Sequence, residues 1–359
     1  MAGDDSAPAG DDTLETTHRV TIGDARDLSV PDESVDLVVT SPPYPMIEMW
    51  DNLFATLAPD AGSALDAGNG QAAFDAMHDA LDAVWAELDR VLVPGGIACI
   101  NVGDATRKVD GRFRVYPNHA RITDTFEGMG FDPLPDVLWH KPTNSAAKFM
   151  GSGMVPPNAY VTLEHEYVLV FRKGARRSFE PGAAHRYESA FFWEERNRWF
   201  TDLWTEVRGR VQDLAAEELR DRAAAYPLEI PYRLINMYSV YGDTVLDPFW
   251  GTGTTTLAAM VAGRDSVGCE LDEEFLAHFD DRIADVPDIS RAVIADRLDA
   301  HREFVTERRA DGDDLAYEAD HYDFPVRTKQ EREIRFYEAS AVNPIDGDDR
   351  QYHVDYDAV

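Results

Sequence analysis

The sequence predicts an α/β protein built on one doubly wound, mostly parallel sheet of seven strands, with a lobe inserted late in the chain. Three observations carry that expectation. Short apolar runs bounded by turn residues alternate with stretches whose apolar residues recur every three or four positions, the patterns of strand and helix in turn. The chain has 359 residues, 44% of them hydrophobic, enough to bury one large core and carry a smaller lobe beside it. Two turns rich in proline or glycine directly follow predicted strands, where such sheets hold their ligands.

Residues 1 to 17, rich in Ala, Gly, Asp and Thr, read as a disordered tail. Strands are then expected at Val20 to Ile22, Val35 to Val39, Ile97 to Val102, Pro135 to Trp139, Tyr167 to Phe171, Thr244 to Leu246 and Ser266 to Cys269. Between Ala73 and Leu92, Phe74, Met77, Leu81, Val84, Trp85, Leu88 and Val91 fall on one helical face. Further helices are expected near His119 to Met129, Leu228 to Val240, Thr254 to Ala262 and Glu273 to Ile283. The two halves of the α/β domain are residues 18–173 and 223–286. Between them, residues 174–222 break the alternation and are rich in Arg and aromatic residues, which marks an inserted recognition lobe. Residues 287–359 read as a C-terminal extension, one helix followed by an acidic, turn-rich tail.

The charge is strongly negative, with 67 acids against 34 bases and a formal net charge of −33; only five of the bases are lysines. Dense carboxylates keep a surface hydrated when salt screens charge to ~3 Å at about 1 M, so the composition resembles that of haloarchaeal proteins. From Lys141 to Gln212, however, eleven bases meet eight acids. That locally basic stretch suggests a phosphate-facing surface, and Arg176, Arg177, Arg196, Arg198, Arg208 and Arg210 are the candidate DNA contacts. No run approaches the ~18 apolar residues of a membrane span, and the first residues lack a signal peptide's pattern, so a cytoplasmic, membrane-free protein is expected. Cys99 and Cys269 each end an apolar run, which fits buried strand residues and neither a disulfide nor a metal cluster.

The first motif is a buried strand from Val35 that ends in Ser41-Pro42-Pro43-Tyr44. An amino group conjugated to a base ring is a poor nucleophile, and acceptors aimed at its N–H groups pull the nitrogen toward tetrahedral geometry. The Ser41 hydroxyl and Pro42 carbonyl can do this, the prolines fix φ, and the Tyr44 ring offers a face for an extruded base. The second motif is Val245-Leu-Asp-Pro-Phe-Trp-Gly-Thr-Gly-Thr254, a strand entering a glycine turn and a helix. Gly251 and Gly253 allow close approach of backbone N–H groups to an anionic ligand, and Glu270, at the end of the next strand, can accept from ribose hydroxyls. A nicotinamide fingerprint needs glycine at position 256, where the chain has Thr256. A nucleoside cofactor without pyrophosphate fits better.

In that order, with Gly23-Asp24-Ala25, Val93-Pro94-Gly95-Gly96, Trp139-His140-Lys141-Pro142 and Glu166-Tyr167 to Lys173 as companions, the two motifs resemble the β class of amino-methyltransferases acting on DNA, over residues 19–285. The resemblance implies a Rossmann-like S-adenosylmethionine-dependent methyltransferase fold with circularly permuted motif order. It implies that Ser41, Pro42, Pro43 and Tyr44 hold the target base, that Asp247, Phe249, Gly251, Gly253 and Thr254 line the methionine end of S-adenosylmethionine, that Glu270 binds ribose and that Asp24 lies near the adenine. Neither a metal nor a covalent enzyme intermediate is implied. Two departures stand out: Tyr226 precedes Pro227 where many relatives carry a basic or His residue, and the segment Pro45 to Gln71 is long, as if to close over the base.

Members of that class with serine at the first catalytic position mostly methylate cytosine N4, so the resemblance implies that target in a short site in double-stranded DNA, with CTAG the candidate by likeness to haloarchaeal modification methylases. Such an enzyme acts as an orphan or beside a separate cognate restriction endonuclease. The alternatives are an adenine-N6 enzyme, an RNA methyltransferase and a non-catalytic DNA-binding relative. The sequence carries no signal of oligomeric state.

Overall fold

The computed structural model describes residues 13–141, 150–151, 155–207, 226–345 and 350–359. Its centre is one sheet of ten strands: β1 (Thr13–Ile22), β2 (Val35–Thr40), β3 (Leu92–Val102), β4 (Phe131–His140), β5 (His165–Lys173), β6 (Leu203–Trp204), β7 (Thr244–Asp247), β8 (Asp265–Glu270), β9 (Tyr337–Ile345) and β10 (Arg350–Ala358). Their order is β6-β4-β5-β3-β2-β7-β8-β1-β10-β9. The five strands from β3 to β1 run parallel, and β5, β10 and β9 each pair antiparallel with their neighbours. All seven expected strands are present.

The parallel strands are buried on both faces, which is why they read as near-continuous apolar runs. Leu37, Val39 and Cys99 point into one core, while Val38, Ala98 and Ile100 point into the other. Helix α3 (Gly70–Val91) covers the second core with the predicted face, its N-terminus capped by the Asn69 side chain accepting from the Ala72 N–H. Burying Phe74, Met77, Leu81 and Leu88 contributes on the order of 1.5–3 kcal/mol each. Helices α7 (Glu229–Tyr238) and α8 (Thr254–Ala262) pack against the first core.

Three expectations are corrected. The N-terminal tail is not disordered through residue 17, because β1 begins at Thr13. Its inward positions are Thr16, His18 and Val20, polar enough to hide the alternation. Thr16 and Ser266 hydrogen-bond the buried His18 ring at 2.8 Å each, and burial lowers its pKa to about 3. The acidic tail ends in the β9–β10 hairpin, where Tyr352, Val354 and Tyr356 point inward between outward Asp355 and Asp357. Seven strands are therefore ten. The inserted segment also shares a core with the extension: Phe192 packs with Leu298, Phe324 and Phe336, and Glu195 forms a buried ion pair with Arg297 at 2.5 Å. No described helix is long and apolar enough to cross a membrane.

Candidate active site

Strands β2 and β7 are neighbours, but the chain leaves β2 toward β3 and β7 toward β8, so a crevice opens where their carboxyl ends diverge. The Thr40 hydroxyl donates to Asp247 Oδ1 at 2.6 Å and ties the two ends together. A cavity of about 450 Å3 fills the crevice, lined by Asp24, Ser41, Asp247, Phe249, Thr254 and Glu270, among others. Its outer wall includes Leu53 and Leu57 of α1 (Asp51–Leu57), so the long segment after the catalytic motif folds as helices against this cavity.

Asp247 is buried. Its carboxylate accepts from Thr40, from Thr255 Oγ1 at 2.6 Å and from the Phe249 N–H at 3.1 Å, yet burial still raises its pKa to about 6. Glu270 accepts from the Gly251 N–H at 2.7 Å and the Asp272 N–H at 2.9 Å, and burial raises its pKa as well. Asp24 is held below the ordinary carboxyl range by Arg26, whose guanidinium lies 2.6 Å away. The two glycines differ. A Cβ on Gly251, at φ +53°, would meet only the Phe249 carbonyl oxygen at 3.8 Å, while a Cβ on Gly253, at φ +75°, would lie 2.5 Å from Phe279 and 2.6 Å from Trp250. Packing alone therefore requires glycine at position 253. Tyr226 bonds Thr255 Oγ1 at 2.5 Å and lines the same cavity, so it occupies the departure noted at that position.

Ser41 and Pro43 also line the cavity; Pro42 is buried beside them, and Tyr44 is half-buried. The Tyr44 hydroxyl donates to Glu166 Oε2 at 3.0 Å and accepts from Asn101 Nδ2 at 2.8 Å. Its only proton is thereby spent, so at its 3.0 Å contact with Ser41 Oγ the serine must donate. Both serine lone pairs are then left to accept. Asn101 and Lys141 hold the Glu166 carboxylate in place, each at 2.7 Å. Burial and the Glu166 charge push the Tyr44 phenol well above its ordinary pKa, so it stays protonated. Sequence reasoning assigned no role to Asn101, Lys141 or Glu166. The available signals were a polar residue closing the apolar run into Asn101 and an acid opening the strand at Glu166.

The basic residues divide. Arg177 forms a bidentate pair with Asp243 at 2.7 and 2.8 Å and lies 3.3 Å from Asp36. Asp36 and Asp243 stand at the amino ends of β2 and β7, about 16 Å from Ser41 along β2 at ~3.3 Å per residue. Arg176 and Arg196 line a cavity on that same edge, so the expected row does not gather at the catalytic motif. Arg198 is exposed on α6 (Trp193–Trp199), while Arg208 and Arg210 lie outside the described residues. Cys99 and Cys269 are buried and unpaired, with burial pushing the Cys269 thiol up to about 11, so neither is poised as a nucleophile. Glu15, His353 and Asp355 bring ligand atoms within 4.8 Å of one another on β1 and β10, outside this cavity.

The DNA methylase family profile matches residues 35–281, a span that includes both motifs. The chain is 49% identical over 328 residues to Type II methyltransferase M.MthZI of Methanothermobacter thermautotrophicus, covering 90% of this chain and 91% of that protein. It is 49% identical over 282 residues to Type II methyltransferase M.MjaI of Methanocaldococcus jannaschii, covering 75% and 92%. Among solved structures, it is similar to a putative DNA modification methylase of Thermus thermophilus, TTHA0409, complexed with S-adenosyl-L-methionine, with a TM-score of 0.58, 35% identity and coverage of 75% and 94%. A cavity at the carboxyl edge, the permuted motif order and these likenesses converge: the chain belongs to the DNA methylase family and is an S-adenosylmethionine-dependent methyltransferase of DNA.

Proposed function

We propose that this enzyme methylates the exocyclic N4 of cytosine within a short duplex site. The observation that carries the reading is the Ser41 hydroxyl, whose proton is committed to Tyr44 and whose lone pairs remain for the target amino group. Accepting from one amino N–H while the Pro42 carbonyl accepts from the other draws the nitrogen's electron pair out of conjugation with the ring. Such fixed acceptors need no reorganisation when the reaction occurs. The base must leave the duplex to reach them, and the Tyr44 ring is its stacking face.

The cavity fits S-adenosylmethionine, which supplies an electrophilic methyl group when bound. Buried Asp247 and half-buried Glu270 offer acceptor oxygens into a volume of about 450 Å3, within the ~300–1,000 Å3 of small-molecule sites. Asp247, Phe249, Gly251 and Thr254 hold the methionine end, Glu270 the ribose and Asp24 the adenine side. For DNA, Arg208 and Arg210 are the proposed contacts; the described flanks of their segment, Val207 and Tyr226, are both buried in the core that contains Trp139. CTAG is the proposed site, by the likeness drawn from the sequence.

Adenine N6 is the second reading, since it presents the same amino geometry to Ser41. Incubation with isotopically methyl-labelled S-adenosylmethionine and duplex DNA, digestion to nucleosides and mass analysis separates the two. Labelled N4-methyldeoxycytidine is expected, and label found only in N6-methyladenine overturns the assignment. Tight cofactor binding without any labelled base would mark a non-catalytic relative.

A further inference from the structure

The arginines that composition points toward DNA surround a second cavity, of about 710 Å3, at the amino edge of the sheet. Arg176, Arg186 and Arg196 line it, and none of them has an ion-pair partner among the described residues. The carboxylates that also line it are engaged elsewhere. Asp243 holds Arg177, and Glu331 accepts from the Trp193 N–H at 2.8 Å and the Thr328 N–H at 2.6 Å. Three guanidiniums without an ion-pair partner among the described residues thus line one cavity in a chain of net charge −33.

Guanidinium forks match phosphate oxygens, and they do so at short range where salt screens longer attraction. Part of the remaining lining is aromatic: Phe179, with the Arg177 and Arg186 guanidiniums 5.0 and 4.8 Å from its ring centre, together with Phe191 and Trp193. Flat apolar faces beside anion-binding forks suit a planar ring carrying phosphate. The volume is that of a small-molecule site.

We propose that this cavity binds a nucleotide, its phosphates on Arg176, Arg186 and Arg196 and its base against the aromatic wall. The test is calorimetric titration of ATP into the full chain and into the triple variant Arg176→Gln, Arg186→Gln, Arg196→Gln, in potassium chloride that keeps both folded. At least a tenfold loss of ATP affinity is expected in the variant, with S-adenosylmethionine affinity and DNA methylation unchanged. Inorganic pyrophosphate should compete with ATP, and more weakly, because it lacks the ring. Equal ATP affinity in the two proteins, or no binding at millimolar ATP, overturns the proposal. Binding of single-stranded oligothymidylate through these arginines without competition by ATP assigns the phosphates to nucleic acid and overturns the nucleotide form. Loss of methylation in the variant would place this face on the methylated duplex and overturn the separation of the two sites.

Discussion

Replacing Asp247 with Asn isolates the charge that lines the cavity proposed for the cofactor. Burial raises the Asp247 pKa from 3.8 to about 6 against three hydrogen bonds that favour the ionised form. A raised carboxyl pKa adds stability that is fully present below the unfolded value and is lost as pH rises through 6. Holding Asp247 ionised at pH 8 therefore costs the apoprotein on the order of 3 kcal/mol. A bound cation offsets that cost, so binding and ionisation are linked. If only the ionised form binds, apparent affinity falls by the factor 1 + 10^(pKa − pH), which is near unity at pH 8 and about 11 at pH 5. Asn keeps the Thr40 and Phe249 donors, and Thr255 can turn its proton to the Val39 carbonyl at 3.3 Å. In Asp247→Asn, S-adenosylmethionine should bind roughly 10–100-fold more weakly at pH 8, from the ~1.5–3 kcal/mol of a charge-assisted contact. The apoprotein should melt higher at pH 8. Calorimetric titrations between pH 5 and 8 at fixed salt read both the affinity and the protons released. Glu270, also raised, titrates in both proteins, so the difference between them belongs to Asp247. Identical pH slopes in wild type and variant would refute the linkage.

Ser41→Ala removes the acceptor and Tyr44→Phe removes the oxygen that takes the serine proton; each should lower single-turnover methylation by about 10²-fold with cofactor affinity unchanged. Wild-type rates in Ser41→Ala would reduce the motif to a turn. Gly253→Ala places a Cβ against Phe279 and Trp250 at positive φ, so a loss of ~2–4 kcal/mol is expected from overpacking and the left-handed backbone. Melting curves check it, and an unchanged midpoint with lost cofactor binding would instead make Gly253 a ligand contact. With 67 acids on one chain, the melting temperature should climb steeply across a potassium chloride series, and a flat series would count against salt adaptation.

The central sheet was legible because its strands are buried on both faces and its helices on one, and both conditions leave a period in the sequence. That Ser41, Asp247 and Glu270 line one cavity was legible for a related reason: in a doubly wound sheet the crevice lies at the strands' carboxyl ends, so a motif directly after a strand marks its lining. The first part of β1, before Val20, escaped because Thr16 and His18 fill inward positions, and β10 escaped because Asp355 and Asp357 dominate its composition while Tyr352, Val354 and Tyr356 do the packing. Strand β1 has both its partners more than 200 positions away, and β10 joins the central sheet only through β1; no local pattern announces such pairing.

The sequence by itself determined the α/β architecture, the order of the two motifs and the chemistry their residue types allow. Only the tertiary structure decided which way the Ser41 proton points, because that follows from Asn101 and Glu166, brought to Tyr44 from 57 and 122 positions away. It also decided that Arg177 serves Asp243 and that Arg176 and Arg196 face another cavity. Composition counts charges along the chain, but the field at a site depends on which edge of the sheet each charge reaches and on what already neutralises it.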